Sequence, residues 1–306
     1  MEPDAILAAA RAIGYPVLVK PAGGGGGIGM LPAKDESELL AVVERSRSMA
    51  SRGFGNAEVY LEKLFERPRH VEFQVLGDHY GNAVHLFERD CSTQRRNQKV
   101  IEEAPGPLIP RETARQTADH IAGIMRKLGY DNIGTVEMLL GADGSFNFLE
   151  MNTRLQVEHG VTEEVTGVDL VKAQIRSAAG EKLTDILPPN IEVKGHAIQA
   201  RVYAEDPKNF FPSPGKLNVF RPPQDKTVRV ETGFAEGRDV TPYYDPMIAK
   251  LIVWDHNRER ACARLLQALA QYQIVGVASN VEFLSRLVAC PAFAKADLDT
   301  GLIPRE

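Results

Sequence analysis

Apolar residues follow two different spacings along the chain, and each spacing predicts one kind of secondary structure. Leu39, Leu40 and Val43 recur at the spacing of a helix face and predict a helix over about residues 37–48. The other predicted helices are a segment of about ten residues that ends at Gly14, and residues 111–128, 169–179, 258–272 and 280–288. Short apolar runs between turn residues predict strands at 17–19, 59–64, 69–77, 83–89, 134–140 and 146–151. Three prolines indicate a loop over 97–110.

The length of 306 residues allows one large domain or two ordinary ones. The Pro188-Pro189-Asn190 segment indicates a linker, after which short strands and turns predominate. The net charge of −5 gives no general basic surface for nucleic acid. Three widely spaced cysteines predict neither disulfides nor a zinc site and favour a reducing compartment, and no apolar run has the length of a membrane span.

Charged and amide side chains are concentrated around the end of the predicted strand at 146–151. Glu150 lies within that strand, and Arg154, Gln156 and Glu158 follow it closely. An ionised carboxylate in a strand needs a partner or a metal to offset its desolvation. A functional site is therefore the favoured interpretation of this stretch.

A metal site follows from the expected pairing of two strands. The Asp143-Gly144 pair predicts a two-residue hairpin loop between 134–140 and 146–151. That loop places Glu137 opposite Glu150, with Asn152 on the same face. Two carboxylates and an amide oxygen suit magnesium. The alternative is one glutamate in a salt bridge with a nearby Lys or Arg, in a slipped register.

The glycines at 23–27 and Gly29 admit several interpretations. A GxGxxG match is discounted as a dinucleotide fingerprint, because Met30-Leu31-Pro32 continues as extended chain instead of opening a helix. Met30 also stands where the Walker A lysine would follow the last glycine. A flap whose backbone N–H groups close over phosphates, assisted by Lys20, is favoured over a glycine-rich spacer.

Other candidate residues admit both a structural and a functional interpretation. Glu62 and Lys63 would contact adenine or form a surface ion pair. The polar run at 88–99 is typical of a solvated loop, yet extended segments on both sides also fit anion ligands. Arg201 lies in an apolar strand and needs an acceptor such as an anion or an enolate-like oxygen. The histidines at 70, 159 and 196 have no metal-ligand spacing, and structural roles are their default.

Together these segments resemble the biotin carboxylase family of the ATP-grasp superfamily. The matching segments are 19–20 with the glycine run, 60–63, 69–72, 88–92, 94–96, 98–100, 102–105, 134–137, 150–159, 204–207 and 243–245. The most specific of them is Asn152-Thr153-Arg154-Leu155-Gln156-Val157-Glu158-His159. The resemblance implies an α+β chain with an ATP-grasp fold, in which two subdomains enclose ATP, followed by a biotin carboxylase C-terminal α+β domain. The expected domains are the flap subdomain at 1–66, the catalytic subdomain at 67–189 and the C-terminal domain at 190–306.

The resemblance implies a ligase that uses MgATP, or MnATP, to activate bicarbonate as carboxyphosphate and then carboxylates biotin on a separate carrier protein. It assigns ATP contacts to Lys20, Gly25, Gly26, Gly27, Glu62, Lys63, Leu64, His70, Gln94, Asn97 and Leu139. It assigns the metal to Glu137, Glu150 and Asn152, and bicarbonate to Lys99, Arg154, Gln156 and the Val157 amide. Its catalytic residues are Lys99, Arg154, Glu158 as the base for bicarbonate, and Arg201 as the stabiliser of the biotin enolate.

Three departures from the family pattern affect these expectations. Ile28 replaces a common Arg or Lys of the flap, and Asn97 replaces a His of bacterial acetyl-CoA carboxylase subunits. The N-terminal Rossmann-like domain of family members is also expected to be missing. Both substitutions are similar to urea carboxylases, whereas 297–302 is similar to acyl-CoA carboxylases, so the final carboxyl acceptor stays open.

The expected partners are a biotin carrier protein or domain, a carboxyltransferase component and a second copy of the chain, with neither nucleic acid nor membrane. The expected location is the cytoplasm, or the mitochondrial matrix in a eukaryote. A truncated fragment that binds MgATP or assists assembly without catalysis is the alternative function. A different ATP-grasp ligase is less favoured, because the segment at 154–158 fits bicarbonate.

Overall fold

The computed structural model describes residues 2–23 and 28–306, which form two compact units, Met1–Arg67 and Pro68–Glu306. The predicted flap glycines Gly25, Gly26 and Gly27 lie outside the described residues. Each unit is described by itself. Among the described residues, every helix is too short or too polar to cross a lipid bilayer.

The first unit is a three-stranded antiparallel sheet with two helices. Its elements in chain order are α1 (Pro3–Ile13), β1 (Val17–Pro21), β2 (Leu31–Ala33), α2 (Glu36–Phe54) and β3 (Val59–Lys63). The strand order is β2-β1-β3. Val17 and Val19 of β1 pack with Leu39 and Val43 of α2, which are the apolar positions that predicted this helix. The Asp35 carboxylate accepts a hydrogen bond from the Ser37 N–H and caps α2.

The second unit contains a large sheet with helices on both faces. Its helices are α3 (Arg111–Leu128), α4 (His159–Thr166), α5 (Leu170–Ala178), α6 (Leu183–Ile186), α7 (Arg258–Gln271), α8 (Val281–Ala289), α9 (Pro291–Ala294) and α10 (Leu302–Arg305). Its strands are β4 (Arg69–Gly77), β5 (Ala83–Arg95), β6 (Gln98–Ala104), β7 (Asn132–Leu140), β8 (Phe146–Asn152), β9 (His196–Tyr203), β10 (Gly215–Lys216), β11 (Val219–Arg221), β12 (Val228–Glu231), β13 (Asp239–Val240), β14 (Met247–Asp255) and β15 (Gln273–Val275).

The large sheet is antiparallel throughout and has the strand order β12-β14-β9-β6-β5-β4-β7-β8. Strand β4 shows how it is buried. Val71, Phe73 and Val75 pack under α3, while the alternate residues Glu72 and Gln74 face the other side. Both faces of β4 are buried, and one of them is polar. That polar face carries the candidate site.

Most predicted helices and strands are confirmed, and the loop predicted near the site is wrong. Residues 97–110 are not one loop, because β6 occupies Gln98–Ala104. Of the two interpretations of the polar run at 88–99, the solvated loop is excluded, since β5 extends to Arg95 and Glu88, Arg89 and Asp90 are buried. Arg96 and Asn97 alone form the connection, both with positive φ, as in a two-residue hairpin turn.

The expected boundary at 189/190 lies within the second unit. Strands β9, β12 and β14 follow this boundary in the chain, yet they belong to the same sheet as β4 to β8. Around them, Leu251, Leu265 and Leu284 belong to the largest apolar cluster, with α7 and α8. The division into three domains stays a prediction.

Candidate active site

Four charged residues form a row across four neighbouring strands. Arg89 of β5 is paired with Glu72 of β4, Glu72 with Glu137 of β7, and Glu137 with Glu150 of β8. Directly paired residues of antiparallel strands lie on the same face, so three carboxylates are adjacent to one another. Such a row destabilises a sheet unless cations neutralise it.

The pairing of Glu137 with Glu150 is confirmed, but the predicted loop is wrong. The Gly141 N–H donates to the Ser145 oxygen, so the loop has three residues and Gly144 adopts a positive φ. This loop shifts the register by one residue, which would place Leu149 opposite Glu137. An irregularity between Glu137 and Met138 shifts the register back and restores the Glu137–Glu150 pair.

Lys99 on β6 is the cation at the centre of the row. Its ammonium nitrogen lies 2.6 Å from Glu72 Oε2, 2.9 Å from Glu137 Oε1 and 2.6 Å from Glu158 Oε1. Burial lowers the pKa of Lys99, but the charges of Glu72, Glu158 and Glu137 outweigh it and raise the pKa overall. Lys99 is therefore a fixed positive charge at neutral pH.

Glu72 and Glu137, two of the three carboxylates beside Lys99, stay ionised despite their burial. Burial raises the pKa of Glu72, but Lys99 and Arg89 lower it to about 2. Burial likewise raises the pKa of Glu137, and a hydrogen bond with His70 and the charge of Lys99 lower it to about 2. These groups form a network of charged hydrogen bonds that is set before any ligand binds.

Sequence reasoning did not include Glu72 and Arg89 among the site residues. The Arg89 side chain is fully buried and donates to Glu72 Oε1 at 2.6 Å, to the Gln74 and Thr162 oxygens at 2.7 and 2.9 Å, and more weakly to Thr135 and Gln156. A signal was present in the sequence. His70, Glu72 and Gln74 alternate with apolar residues, as expected for one polar face of a buried strand.

The segment from Gln156 to Glu158 lies against this network. The Gln156 side chain donates to Glu137 Oε1 at 2.7 Å. Glu158 is 2% exposed, and its two carboxylate oxygens accept from Lys99 at 2.6 Å and from Arg201 Nη2 at 3.1 Å. Because Glu158 is buried between Lys99 and Arg201, it can accept a proton only from a group that binds within hydrogen-bond distance of its carboxylate.

Arg201 of β9 is held by Glu102 of β6. Its Nε lies 2.5 Å from Glu102 Oε1, and Gln199 donates to the other oxygen of that carboxylate at 3.0 Å. Burial raises the pKa of Glu102, while the charges of Glu102 and Glu158 raise the pKa of Arg201 against the effect of its own burial. The acceptor predicted for Arg201 is therefore formed by two carboxylates of the chain.

The exposed end of the row is less tightly held. The Asn152 amide nitrogen lies between the two paired carboxylates, 3.1 Å from Glu137 Oε1 and 3.3 Å from Glu150 Oε1. The Asn152 oxygen accepts from Arg154 Nη2 at 3.3 Å, and Glu150 and Arg154 are both exposed. Oxygen donors converge here from two carboxylates and one amide that can rotate, which fits a hard divalent cation.

The second unit also contains most of the other expected ATP residues. His70 Nε2 lies 3.0 Å from Glu137 Oε2, and His70 Nδ1 lies 2.9 Å from the Gln94 amide nitrogen. His70 is paired with Leu139 across β4 and β7, so these three residues are adjacent. Asn97 is at the exposed hairpin turn between β5 and β6 and is not brought into that group.

The remaining expected ATP residues belong to the first unit. The Lys20 ammonium lies 3.1 Å from Glu62 Oε1, a diagonal contact between the neighbouring strands β1 and β3. The Lys63 ammonium donates to the Gly14 and Tyr15 carbonyl oxygens at 2.9 and 2.8 Å, at the C-terminal end of α1. The Leu64 N–H donates to the Pro16 oxygen. The structure thus pairs Lys20 with Glu62 and gives Lys63 a local structural contact.

Two family descriptions match the chain. Residues 2–186 match the carbamoyl-phosphate synthase L chain, ATP binding domain, and residues 199–305 match the biotin carboxylase C-terminal domain. A biotin carboxylase domain dimer of the Hydrogenobacter thermophilus 2-oxoglutarate carboxylase, with MgADP, ADP and bicarbonate, superposes with a TM-score of 0.94 at 42% identity. That likeness covers 99% of this chain and 67% of the other. The chain therefore has the ATP-grasp fold.

Curated relatives define the family more closely. The chain is 47% identical over 300 residues to Biotin carboxylase 2 of Bacillus subtilis (strain 168), which covers 98% of this chain and 67% of that protein. It is 48% identical over 297 residues to the mitochondrial methylcrotonoyl-CoA carboxylase subunit alpha of Dictyostelium discoideum, which covers 96% of this chain and 42% of that protein. The chain belongs to the biotin carboxylase family. It spans between about two fifths and two thirds of the length of these relatives.

Proposed function

We propose that the chain catalyses the ATP-dependent carboxylation of biotin on a carrier protein, with bicarbonate as the carbon source. The observation that supports this best is Glu158, a buried carboxylate between Lys99 and Arg201 beside the ionised Glu137. The charged groups are fixed, and the exposed Arg154 and the Asn152 amide lie at the open end. Bicarbonate is a small planar anion that fits cations and an amide on one side and a base on the other.

In this proposal, Lys99, Arg154, Gln156 and the Val157 N–H bind bicarbonate, and Glu158 removes its proton. The nucleophilic oxygen then attacks the terminal phosphate of ATP and displaces ADP, forming carboxyphosphate. Carboxyphosphate then breaks down to carbon dioxide and phosphate. The phosphate accepts the N1 proton of biotin, Arg201 stabilises the negative charge on the biotin ring oxygen, and N1 attacks the carbon dioxide. Lys99 carries charge throughout, because its raised pKa keeps it protonated.

Glu137, Glu150 and Asn152 would hold the magnesium, or manganese, of the nucleotide. The ion would supply charge neutralisation at the phosphates. For the adenosine and phosphates, the proposed contacts are Lys20, Gly25, Gly26, Gly27, Glu62, Lys63, Leu64, His70, Gln94, Asn97 and Leu139. Of these, His70, Gln94 and Leu139 are supported by their adjacency beside Glu137.

Some relatives are named as subunits or domains of larger carboxylases, which supports the proposal that this chain acts together with partner proteins. The proposed partners are a biotin carrier protein or domain, a carboxyltransferase component and a second copy of the chain, since one structural relative is described as a dimer. The final acceptor is a CoA thioester, a 2-oxo acid or a urea-type compound. The relatives carry names from more than one of these classes.

The test is phosphate release from ATP by the purified chain with magnesium, bicarbonate and free biotin, beside Glu158→Gln. We expect phosphate release that requires bicarbonate and rises with biotin, and a loss of about 10²- to 10⁴-fold in the variant, since a positioned base contributes that much. Glu282→Gln, at an exposed position of α8, is the matched control and should retain the wild-type rate.

Binding of MgATP, measured by calorimetry on the same samples, separates two negative outcomes. A chain that binds MgATP without biotin-dependent phosphate release would be a nucleotide-binding or assembly fragment. Equal rates for wild type and Glu158→Gln would remove Glu158 from the proposed chemistry.

A further inference from the structure

We propose that His159 and Lys250 are positioning residues that clamp the two peptide groups on either side of Val157, and so fix the bicarbonate contacts of this segment. The inference rests on the proposed function, which assigns the Val157 N–H and Glu158 to bicarbonate. It concerns the main-chain carbonyl oxygens of the segment, beside the contacts that Lys99 and Arg201 make with the Glu158 carboxylate. Neither residue touches the proposed substrate.

His159 holds the first peptide group. Its Nδ1 lies 2.8 Å from the carbonyl oxygen of Gln156, which belongs to the same peptide group as the Val157 N–H. A carbonyl oxygen only accepts, so Nδ1 carries the proton. His159 is 7% exposed, and burial followed by the charge of Lys250 lowers its pKa, which favours this neutral form. A hydrogen bond to the carbonyl oxygen polarises the peptide and strengthens its N–H as a donor.

Lys250 holds the second peptide group. Its ammonium donates to the carbonyl oxygen of Val157 at 3.0 Å, and the same peptide group carries the N–H of Glu158. Lys250 is only 9% exposed. A buried ammonium is costly unless it is paired, and here Glu231 forms its ion pair. The desolvation of a buried ammonium costs more free energy than one hydrogen bond to a carbonyl oxygen returns, so stability alone does not explain this contact.

The sheet places Lys250 directly beside Arg201, the proposed catalytic residue. Lys250 of β14 is paired with Glu231 of β12 on one side and with Arg201 of β9 on the other. Consecutive residues of the segment are therefore held by adjacent strands, Val157 by Lys250 and Glu158 by Arg201. Movement of Lys250 would displace the main chain that carries the Val157 N–H and the Glu158 side chain, the two proposed bicarbonate contacts of this segment.

Close packing and charge complete the surroundings of the clamp. A Cβ on Gly160 would lie 2.5 Å from Ile252 Cδ1, so α4 begins in direct contact with β14. Arg229 pairs with Glu163 at 2.7 Å and with Glu164 at 3.3 Å, and it also pairs with Glu231. Arg229 thus offsets part of the negative charge of the three carboxylates near Lys250.

The test compares Lys250→Met, which retains most of the side-chain stem but no donor, with Lys250→Arg and with the exposed control Lys216→Met. A double variant, Lys250→Met with Glu231→Leu, also removes the partly buried carboxylate that the single change would leave with Arg229 as its remaining cation. We expect Lys250→Met and the double variant to raise the KM for bicarbonate by about 10- to 100-fold, as a small displacement of a reacting group does. The KM for MgATP should change less than about twofold, and Lys250→Arg should recover part of the loss.

A second readout does not depend on turnover. Bicarbonate should raise the melting temperature of the MgADP-bound wild type and of Lys216→Met, and at the same concentration it should have little effect on the double variant. Equal bicarbonate shifts and equal KM values in wild type and double variant would overturn the clamp while leaving the proposed function intact. A wild type that binds MgADP but shows no bicarbonate shift would overturn the proposed function, and the clamp with it.

Discussion

The two ends of the charged row differ in burial and in the number of their contacts. At the Arg89 end, Arg89 and Glu72 are fully buried and every strong donor of the guanidinium has a protein acceptor. At the Glu150 end, Glu150 and Arg154 are exposed and the contacts through Asn152 are 3.1 to 3.3 Å long. The first end is organised before any ligand arrives, whereas the second has room and spare donors for one. Stability and binding are thus separated along a single row.

The largest expected effect comes from Arg89→Met. Removing this guanidinium leaves Glu72 buried and without one of its cations, which costs about 3–5 kcal/mol. Arg154→Met, at the exposed end, should change the free energy of unfolding by less than about 0.5 kcal/mol while it weakens bicarbonate binding. Urea unfolding of both variants measures the contrast. Similar losses of stability at the two ends would contradict the proposed division.

A control for Arg89→Met removes both partners. Arg89→Met combined with Glu72→Leu should be more stable than Arg89→Met alone, because the double change also removes the buried carboxylate that has lost one of its two cations. A double variant that is less stable than the single one would show that packing around Arg89, and not its charge, is the main contribution.

The pH dependence of stability gives a second contrast. The folded-state pKa of Glu72 is about 2, below its ordinary value of 4.5. Between these two pH values the unfolded state therefore binds more protons than the folded state. The stability that Glu72 contributes is fully present above its unfolded pKa and is lost on acidification, by about 2 kcal/mol between pH 5 and pH 3. Urea unfolding in EDTA should therefore show a steeper loss for wild type than for Glu72→Gln. Parallel curves would mean that Glu72 is not held ionised.

The sequence predicted the exposed end of the row better than the buried end. Glu137 and Glu150 were found because a hairpin signal and the period of a strand are local properties. The predicted loop length was wrong by one residue, and the register irregularity beside Glu137 compensated for it. Such an irregularity depends on packing on both sides of the sheet, which no local pattern contains.

Glu72 and Arg89 were missed because charge in a strand is usually a sign of solvent. The run from Glu88 to Lys99 was open to two interpretations, a solvated loop or anion ligands, and β5 continues through most of it. Within this run, Arg89 is held by an ion pair with Glu72 and by hydrogen bonds to Thr135 and Gln156, which are distant in the sequence. The prolines at 105, 107 and 110 suggested a loop that began too early, and β6 ends at Ala104, directly before the first of them.

The smallest expected effect is at Asn152, where the exposed end can be tuned. Asn152→Asp replaces an N–H that now bridges Glu137 and Glu150 with a third carboxylate. Without a divalent cation, the added repulsion should lower the free energy of unfolding by about 0.5–1 kcal/mol. Magnesium should reverse the order, since a site with more anionic oxygen ligands binds the ion more tightly and the bound ion stabilises the folded state. Melting temperatures with EDTA and with magnesium, for wild type, Asn152→Asp and Asn152→Ala, measure both signs. A magnesium shift of the same size in all three proteins would mean that the ion does not bind at this end of the row, and the carboxylate pair would then need another explanation for its place in the sheet.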